Sequence, residues 1–437
     1  MKKDMLKVII REFHESDLPD LITRHLSVDL SAIRSPLNKV ITISGPRRAG
    51  KTSFLFQIIK FLLSKGMDIE DIVYVNFEDE RILPLKSTEL HGILDAYFEL
   101  YEGKTAPLLF FDEIQNITGW DTFVRRLNDQ GHRIFITGSN SKLLSSEIAR
   151  VLRGRTLTYE LFPFSFSEYI CSKGILPEKT AIFGKKRHEI RRQFETYFFS
   201  GGYPEISFIE TNSTKTRILQ DYFNAIFYRD LIERYRIRNI DLLRQWLNTL
   251  MANISCLVSH KKVENDYKSR GIKLSRATLS TFARYVEDVY FGFFVEIYSE
   301  SERKRQVNPK KFYLVDQGLH NHLTLKFAQN TGRLLENLVF LNLRRKGYPV
   351  WYYKTKGGYE VDFLYKKGGE KHLIQVCHDL SNIETVNREK RALLSGMREL
   401  EISTGMILTS EEKKEEMLNG LSVVIMPVWE WLLVSDF

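Results

Sequence analysis

Cysteine is scarce and scattered in this chain. The 437 residues hold three, Cys171, Cys256 and Cys377, with no CxxC pair and no histidine at a zinc-ligand spacing. That excludes a disulfide framework or a cysteine-based zinc site and points to a reducing compartment, the cytoplasm by expectation. Long apolar runs are missing as well. No stretch approaches the ~18 uninterrupted apolar residues of a membrane span, so no membrane partner is expected. The opening "MKKDMLKVIIREFHESDLPD" is basic, but its apolar part is short and broken by charge, so it is not read as a signal peptide. Internal repeats and low-complexity tracts are absent too.

What is present is ordinary for soluble globular protein: 43% hydrophobic and 27% charged residues. The length exceeds one ordinary core, so two or three domains are expected. Net charge is +9, and residues 259–311 carry 12 Lys or Arg against 7 Asp or Glu, which concentrates much of the excess in one region. A basic region attracts polyanions whatever its fold.

Up to about residue 165 strands and helices alternate. The runs "KVITIS" (39–44), "DIVYVNF" (71–77), "PLLFFD" (107–112), "HRIFITG" (132–138) and "LTYEL" (157–161) read as strands, with helix-period segments between them. Such alternation predicts a parallel sheet covered on both faces. From about 162 to 240 aromatic-rich helices take over, with "SGGYPE" (200–205) read as punctuation between two of them. From 241 to about 318 the order is helix, helix, turn, helix and two strands around the charged tip "ESERKRQVNP", the layout of a winged helix-turn-helix. The tail reads helix, three strands, helix, two strands.

The most specific motif is "GPRRAGKT". Gly45, Gly50, Lys51 and Thr52 satisfy GxxxxGK[ST], with a strand before and an apolar helix after. Glycine is needed where backbone wraps phosphate, and the loop N–H groups with the following helix N-terminus point at the β-phosphate. Candidate cofactor-binding residues are therefore Gly45, Pro46, Arg47, Arg48, Ala49, Gly50, Lys51, Thr52 and Ser53. Lys51 would supply a cation between β- and γ-phosphates, and Thr52 would ligate Mg2+. In "LLFFDEIQ", Asp112 ends an apolar strand as a Walker B aspartate does and would hold Mg2+ through water. Glu113 beside it would deprotonate the attacking water, which favours hydrolysis over transfer to a small molecule. The next strand ends in "SNSK", where Ser139 or Asn140 would position water with Thr137 behind them. Arg150, Arg153 and Arg155 precede the last strand, and Arg153 or Arg155 fits an arginine that steadies γ-phosphate charge, often on a neighbouring subunit.

"GPRRAGKT", "LLFFDEIQ", "IFITGSNSKLL", "LRGRTLTYELFPFSFSEY", "SGGYPE" and "YRDLIERY" in that order resemble a large family of archaeal and bacterial AAA-type ATPases. In that family the ATPase is followed by a winged helix and a restriction-endonuclease-like domain. The resemblance implies a five-stranded parallel core, ATP with Mg2+, and an arginine finger near Arg155; it supplies no substrate. The expected fold is α/β throughout: an AAA-type P-loop core over 1–165, a helical lid over 166–240, a winged helix over 241–325, and a degenerate restriction-endonuclease-like domain over 326–437.

The tail carries part of a nuclease constellation. PD-(D/E)XK nucleases use an acid on the first helix, an aspartate at a strand start, and an acid-x-lysine on the next strand. Glu336 and Asp362 match the first two positions, but Gln375 stands where the acid belongs and Cys377 where the lysine belongs. An amide holds a hard cation more weakly than a carboxylate, and a thiol carries no fixed positive charge, so cleavage is not expected. In the winged helix, Arg276, Arg284 and the tip "ERKRQ" are of the types that meet phosphate and base edges.

Two functions follow. One is an ATPase whose nucleotide state controls the grip of its C-terminal half on double-stranded DNA. The other is a regulatory ATPase whose C-terminal half binds a protein. A metabolite kinase would leave Glu113 and the appended domains without a use. An arginine acting in trans would require a homo-oligomer.

Overall fold

Val40–Ser44 (β1) is buried at every position, as are the four apolar residues of Leu108–Asp112 (β3). Strands buried on both faces need no alternation, which is why these runs are continuously apolar. With Ile72–Asn76 (β2), Arg133–Gly138 (β4) and Thr156–Glu160 (β5) they form a five-stranded sheet in the order β2-β3-β4-β1-β5, every pairing parallel. The computed structural model describes residues 2–33, 38–139, 152, 154–176, 184, 186–324 and 331–434. Among them no helix is long and apolar enough to cross a membrane.

Alternate strand residues feed opposite cores. Leu109, Phe111, Ile134 and Ile136 face one layer, which includes helices Gly92–Leu100 and Trp120–Asp129. Leu108, Phe110 and Phe135 face the other, against helix Lys51–Ser64 (α1), with Phe110 and Phe135 stacked at 4.6 Å. An N-terminal helix, Lys2–Glu15, was not foreseen; its apolar stripe of Leu6, Ile9 and Ile10 enters the first core. The chain divides into two compact units, Met1–Phe162 and Pro163–Phe437.

The second unit begins with helices, among them Phe166–Ser172, Lys186–Ser200 and Asn212–Asn224, the last continuing as π-helix over Ala225–Glu233. A three-stranded antiparallel sheet follows in the order β6-β8-β7: Cys256–Val258 (β6), Gly292–Val295 (β7) and Lys310–Leu314 (β8). Helices Ile240–Ala252, His260–Ser269 and Arg276–Asp288 (α2) complete a helix–strand–helix–helix–strand–strand order. β6, only three residues long, leaves no run in the sequence to mark it. The charged tip folds as a short helix, Glu302–Val307.

The C-terminal sheet has six strands in the order β13-β14-β12-β11-β10-β9. Val350–Lys354 (β9), Glu360–Lys367 (β10) and Glu370–Val376 (β11) pair antiparallel, while Thr404–Thr409 (β12) and Leu421–Pro427 (β14) add in parallel. Lys414–Leu418 (β13) returns on β14 through the Asn419-Gly420 turn, both residues at positive φ. Helix Thr331–Arg345 (α3) is buried from Leu334 to Leu343, and helix Ile383–Glu399 (α4) packs Ala392, Leu393 and Met397 on the sheet. The three- and six-stranded sheets join where Tyr352 N–H donates to Glu296 O at 3.1 Å and Tyr298 N–H to Tyr352 O at 2.7 Å.

Candidate functional site

The parallel register sets Ser44 level with Gly138 and Glu160, and Asn76 level with Asp112. These positions lie along the carboxyl edge of the sheet, where ligands of open α/β folds bind. β1 leaves that edge as the loop 45–50. A Cβ on Gly45 would collide with the carbonyl oxygen of Leu161, whose own N–H donates to Ser44 O at 2.7 Å. Arg48, at φ 65°, and Gly50, at φ 91°, turn the backbone into α1, so the helix N-terminus faces the loop.

Lys51 is 4% exposed. Its Nζ donates to Gly45 O at 3.3 Å and Pro46 O at 3.2 Å, and pairs with Glu113 Oε1 at 3.2 Å. Thr52 Oγ1 donates to Asp112 Oδ2 at 2.7 Å, and Tyr74 OH to the same oxygen at 3.0 Å. Thr137 is the hinge of the acidic pair: its hydroxyl donates to Asp112 Oδ1 and accepts from Glu113 N–H at 2.9 Å. Gln115 Nε2 donates to Glu113 Oε2 and to Ser139 Oγ, the latter at 3.4 Å. Glu113 itself sits at φ 51°, a left-handed turn that swings its side chain off the strand toward Lys51.

The two acids are pushed apart electrostatically. Burial raises the Asp112 carboxyl above the usual range despite the bonds from Thr137, Thr52 and Tyr74. Burial also pulls Glu113 upward, but Lys51, the Gln115 bond and Arg47 outweigh it and leave Glu113 below the usual range. Adjacent carboxyls with opposite shifts are the signature of divided roles. Asp112 is held by three neutral hydroxyls, one of them on Thr52, so a hard cation at this oxygen set would supply the missing positive charge. The donors therefore fit Mg2+.

Sequence reasoning missed Arg24. It is 6% exposed; Nη1 donates to Ala49 O at 2.7 Å, in the phosphate loop, and Nη2 to Phe162 O at 2.6 Å. Gln57 of α1 locks its backbone at both ends, accepting from Arg24 N at 2.8 Å and donating to Arg24 O at 3.1 Å. Nothing in the composition of the N-terminal stretch signals this. Asn140 and Arg153 lie outside the described residues. Arg155 is described and is remote: its carbonyl accepts from Val40 N at 2.8 Å and its guanidinium pairs with Asp129, at the amino edge of the sheet. The whole of β5 separates it from the loop edge, roughly 17 Å at ~3.3 Å per residue. Within one chain, then, Arg155 does not reach the loop.

In the second unit, Glu336, Asp362, Gln375 and Cys377 line one cavity of about 480 Å³, together with Arg333 and Glu389. The structure thus brings these four sequence-predicted residues to one cavity. Cys377 remains a buried thiol, pushed up to about 11 by burial, and donates to Asp379 O at 3.2 Å. A second cavity of about 710 Å³ lies between α2 and the tip, lined by Arg276, Arg284, Lys261, Lys310 and Val307. Arg276 pairs there with Glu264 at 2.9 Å.

A parallel sheet whose first strand opens into a glycine loop and helix, with an acidic strand end facing that loop, defines a P-loop nucleotide-binding domain of the AAA class. Residues 37–170 match the family described as an AAA domain, residues 191–330 a domain of unknown function (DUF8612), and residues 331–431 another (DUF4143). The chain is 39% identical to Uncharacterized protein MJ1544 of Methanocaldococcus jannaschii, across 91% of this chain and 88% of that one, and belongs to its family of AAA-domain proteins with two C-terminal domains. An uncharacterized protein of Haemophilus influenzae is 28% identical over 90% of this chain and 93% of its own. A chain in the structure of Drosophila ORC bound to AT-rich DNA and Cdc6 aligns over 73% of this chain and 91% of that one at 11% identity, with a TM-score of 0.19, too low to bear on this fold.

Proposed function

We propose that the chain is an ATP-hydrolysing switch whose nucleotide state governs the hold of its second unit on duplex DNA. The observation that carries the ATPase reading is the contact set Lys51–Glu113 and Thr52–Asp112 on one edge of one sheet. Lys51 donates to two loop carbonyls and pairs with Glu113. A triphosphate in the loop offers better acceptors, so Lys51 turns to it and Glu113 is released to take a proton from water. Thr137, bonded to Glu113 N–H, keeps that carboxylate aimed. Thr52 and Asp112 would hold the Mg2+, which spreads charge over the β- and γ-phosphates. Ser139, whose hydroxyl accepts from Gln115 Nε2 at 3.4 Å, would orient the water.

The DNA reading rests on the 710 Å³ groove and its cations Lys261, Arg276, Arg284 and Lys310. Four phosphate contacts would give a slope of log affinity against log salt of roughly −3 to −4. The test is duplex affinity across salt, with and without ATP, alongside ATP turnover with and without DNA. A flat salt profile removes the DNA reading. It would leave the regulatory one, a groove for a protein segment, which Val307, 75% exposed on the same rim, favours.

A further inference from the structure

The nuclease-like constellation implies a divalent cation between Glu336 and Asp362. Something else fills that place. Lys311, on β8 of the three-stranded sheet, is 3% exposed. Its Nζ lies 3.0 Å from Glu336 Oε1, 2.8 Å from Asp362 Oδ1 and 2.9 Å from Glu360 Oε1. An ammonium has three N–H donors; here two hydrogen-bond Glu336 and Asp362, and Glu360 holds the charge from a third side as an ion pair. The ammonium is committed to this acid cluster.

The surrounding groups are engaged in the same sense. Tyr313, two residues along β8, donates its hydroxyl to Glu336 Oε1 at 2.6 Å. The other Asp362 oxygen accepts Val376 N–H at 3.0 Å. Gln375 is used at both ends of its amide, accepting from Asp362 N–H at 3.3 Å and donating to Glu389 Oε2 at 2.5 Å. A divalent ion entering between Glu336 and Asp362 would meet a buried positive charge already there. The residues present do not fit a metal.

We propose that Lys311 is a built-in counter-ion that occupies the cation place of the nuclease-like centre, leaving it metal-free and non-cleaving while pinning β8 to the C-terminal sheet. The pin crosses from the 191–330 domain to the 331–431 domain, and both lie within the single unit Pro163–Phe437. Burying a lysine is tolerated only with such partners, and removing it strands buried carboxylates that then need another cation.

The test uses the full chain without nucleotide and Mn2+ as the probe. The wild type should show no Mn2+-dependent rise in melting temperature that Asp362→Asn abolishes, and should leave plasmid DNA intact. Lys311→Met should keep ATP turnover and gain a Mn2+-dependent rise of roughly 5 °C at metal a hundredfold above its dissociation constant. Adding Asp362→Asn should erase that gain. Wild-type Mn2+ binding or DNA nicking that depends on Asp362 would overturn the proposal and make Lys311 a working lysine of a nuclease. A folded Lys311→Met that gains no metal would overturn it too. Should Lys311→Met fail to fold, adding Glu336→Gln and Asp362→Asn should restore folding, because the excess negative charge is gone. A triple variant that stays unfolded refutes the counter-ion role.

Discussion

Glu113→Gln separates two jobs proposed for one carboxylate. The substitution keeps the shape and the chance of a bond to Gln115, but removes the negative charge 3.2 Å from Lys51. At that distance and an effective dielectric near 20, the gross attraction is roughly 5 kcal/mol. Both groups are nearly buried, and their desolvation consumes most of it, leaving a net pair worth about 1 kcal/mol. ATP must break this pair to recruit Lys51, so the variant should bind ATP as well as wild type or up to about fivefold more tightly. Hydrolysis should move the other way. Loss of a positioned base costs ~10²–10⁴ in rate, or about 3–5 kcal/mol of barrier. Equilibrium binding of a fluorescent ATP analogue and single-turnover hydrolysis read the two effects apart. Normal turnover would refute Glu113 as the base. Loss of binding together with turnover would mean that Glu113 builds the loop and does no chemistry.

Arg24→Met removes the two charge-assisted bonds to Ala49 O and Phe162 O, each worth about 1.5–3 kcal/mol to the loop's placement. It should raise KM for ATP by about tenfold or more while kcat changes little; a fall confined to kcat would place Arg24 in the chemistry instead. Asp316, fully buried and pushed by burial up to about 6, predicts a pH signature for the second unit. Its folded value lies above the ordinary 3.8, so the folded state takes up the proton more readily. The resulting stability is full below about pH 4 and declines by about 3 kcal/mol as pH rises to 6. The urea-midpoint difference between wild type and Asp316→Asn should change across that window and level off above it; a constant difference from pH 4 to 7 refutes the shift.

The phosphate loop and the alternating core were legible because their signals are local. Glycine at 45 and 50, a lysine at 51 and a continuous apolar run each act within a few residues of themselves. What escaped was made by distance or by burial. Arg24 acts on a carbonyl 25 residues away, and no pattern in its neighbourhood shows it. "SGGYPE" was read as punctuation, yet a Cβ on Gly202 would strike Phe164 O, and Gly202 N–H donates to Asp316 at 2.6 Å, so the glycine answers to a carboxylate 114 residues on. Asn419-Gly420 carries a hairpin signal, yet the short, charged run 414–418 before it does not read as a strand.

The charge count misled in a more instructive way. Composition treats every lysine in 259–311 as available to a polyanion. In the fold Lys311 is buried among carboxylates, Lys310 pairs with Glu296 at 2.8 Å and Arg276 with Glu264. Glu264 and Glu296 are already counted in the segment's net of +5, 12 basic against 7 acidic residues, but Lys311 answers to acids outside it, so the field that DNA would meet is weaker than +5. Arg155 teaches the same lesson about position. Proximity in sequence to the last strand suggested proximity to the γ-phosphate, but β5 runs from the amino edge, where Arg155 sits, to the carboxyl edge, where the loop lies. An arginine there meets a phosphate only if another copy brings its loop edge to it. An arginine finger at Arg155 requires an oligomer: Arg155→Ala should then lower turnover of the assembled protein without changing ATP affinity, and unchanged turnover would remove Arg155 from the chemistry.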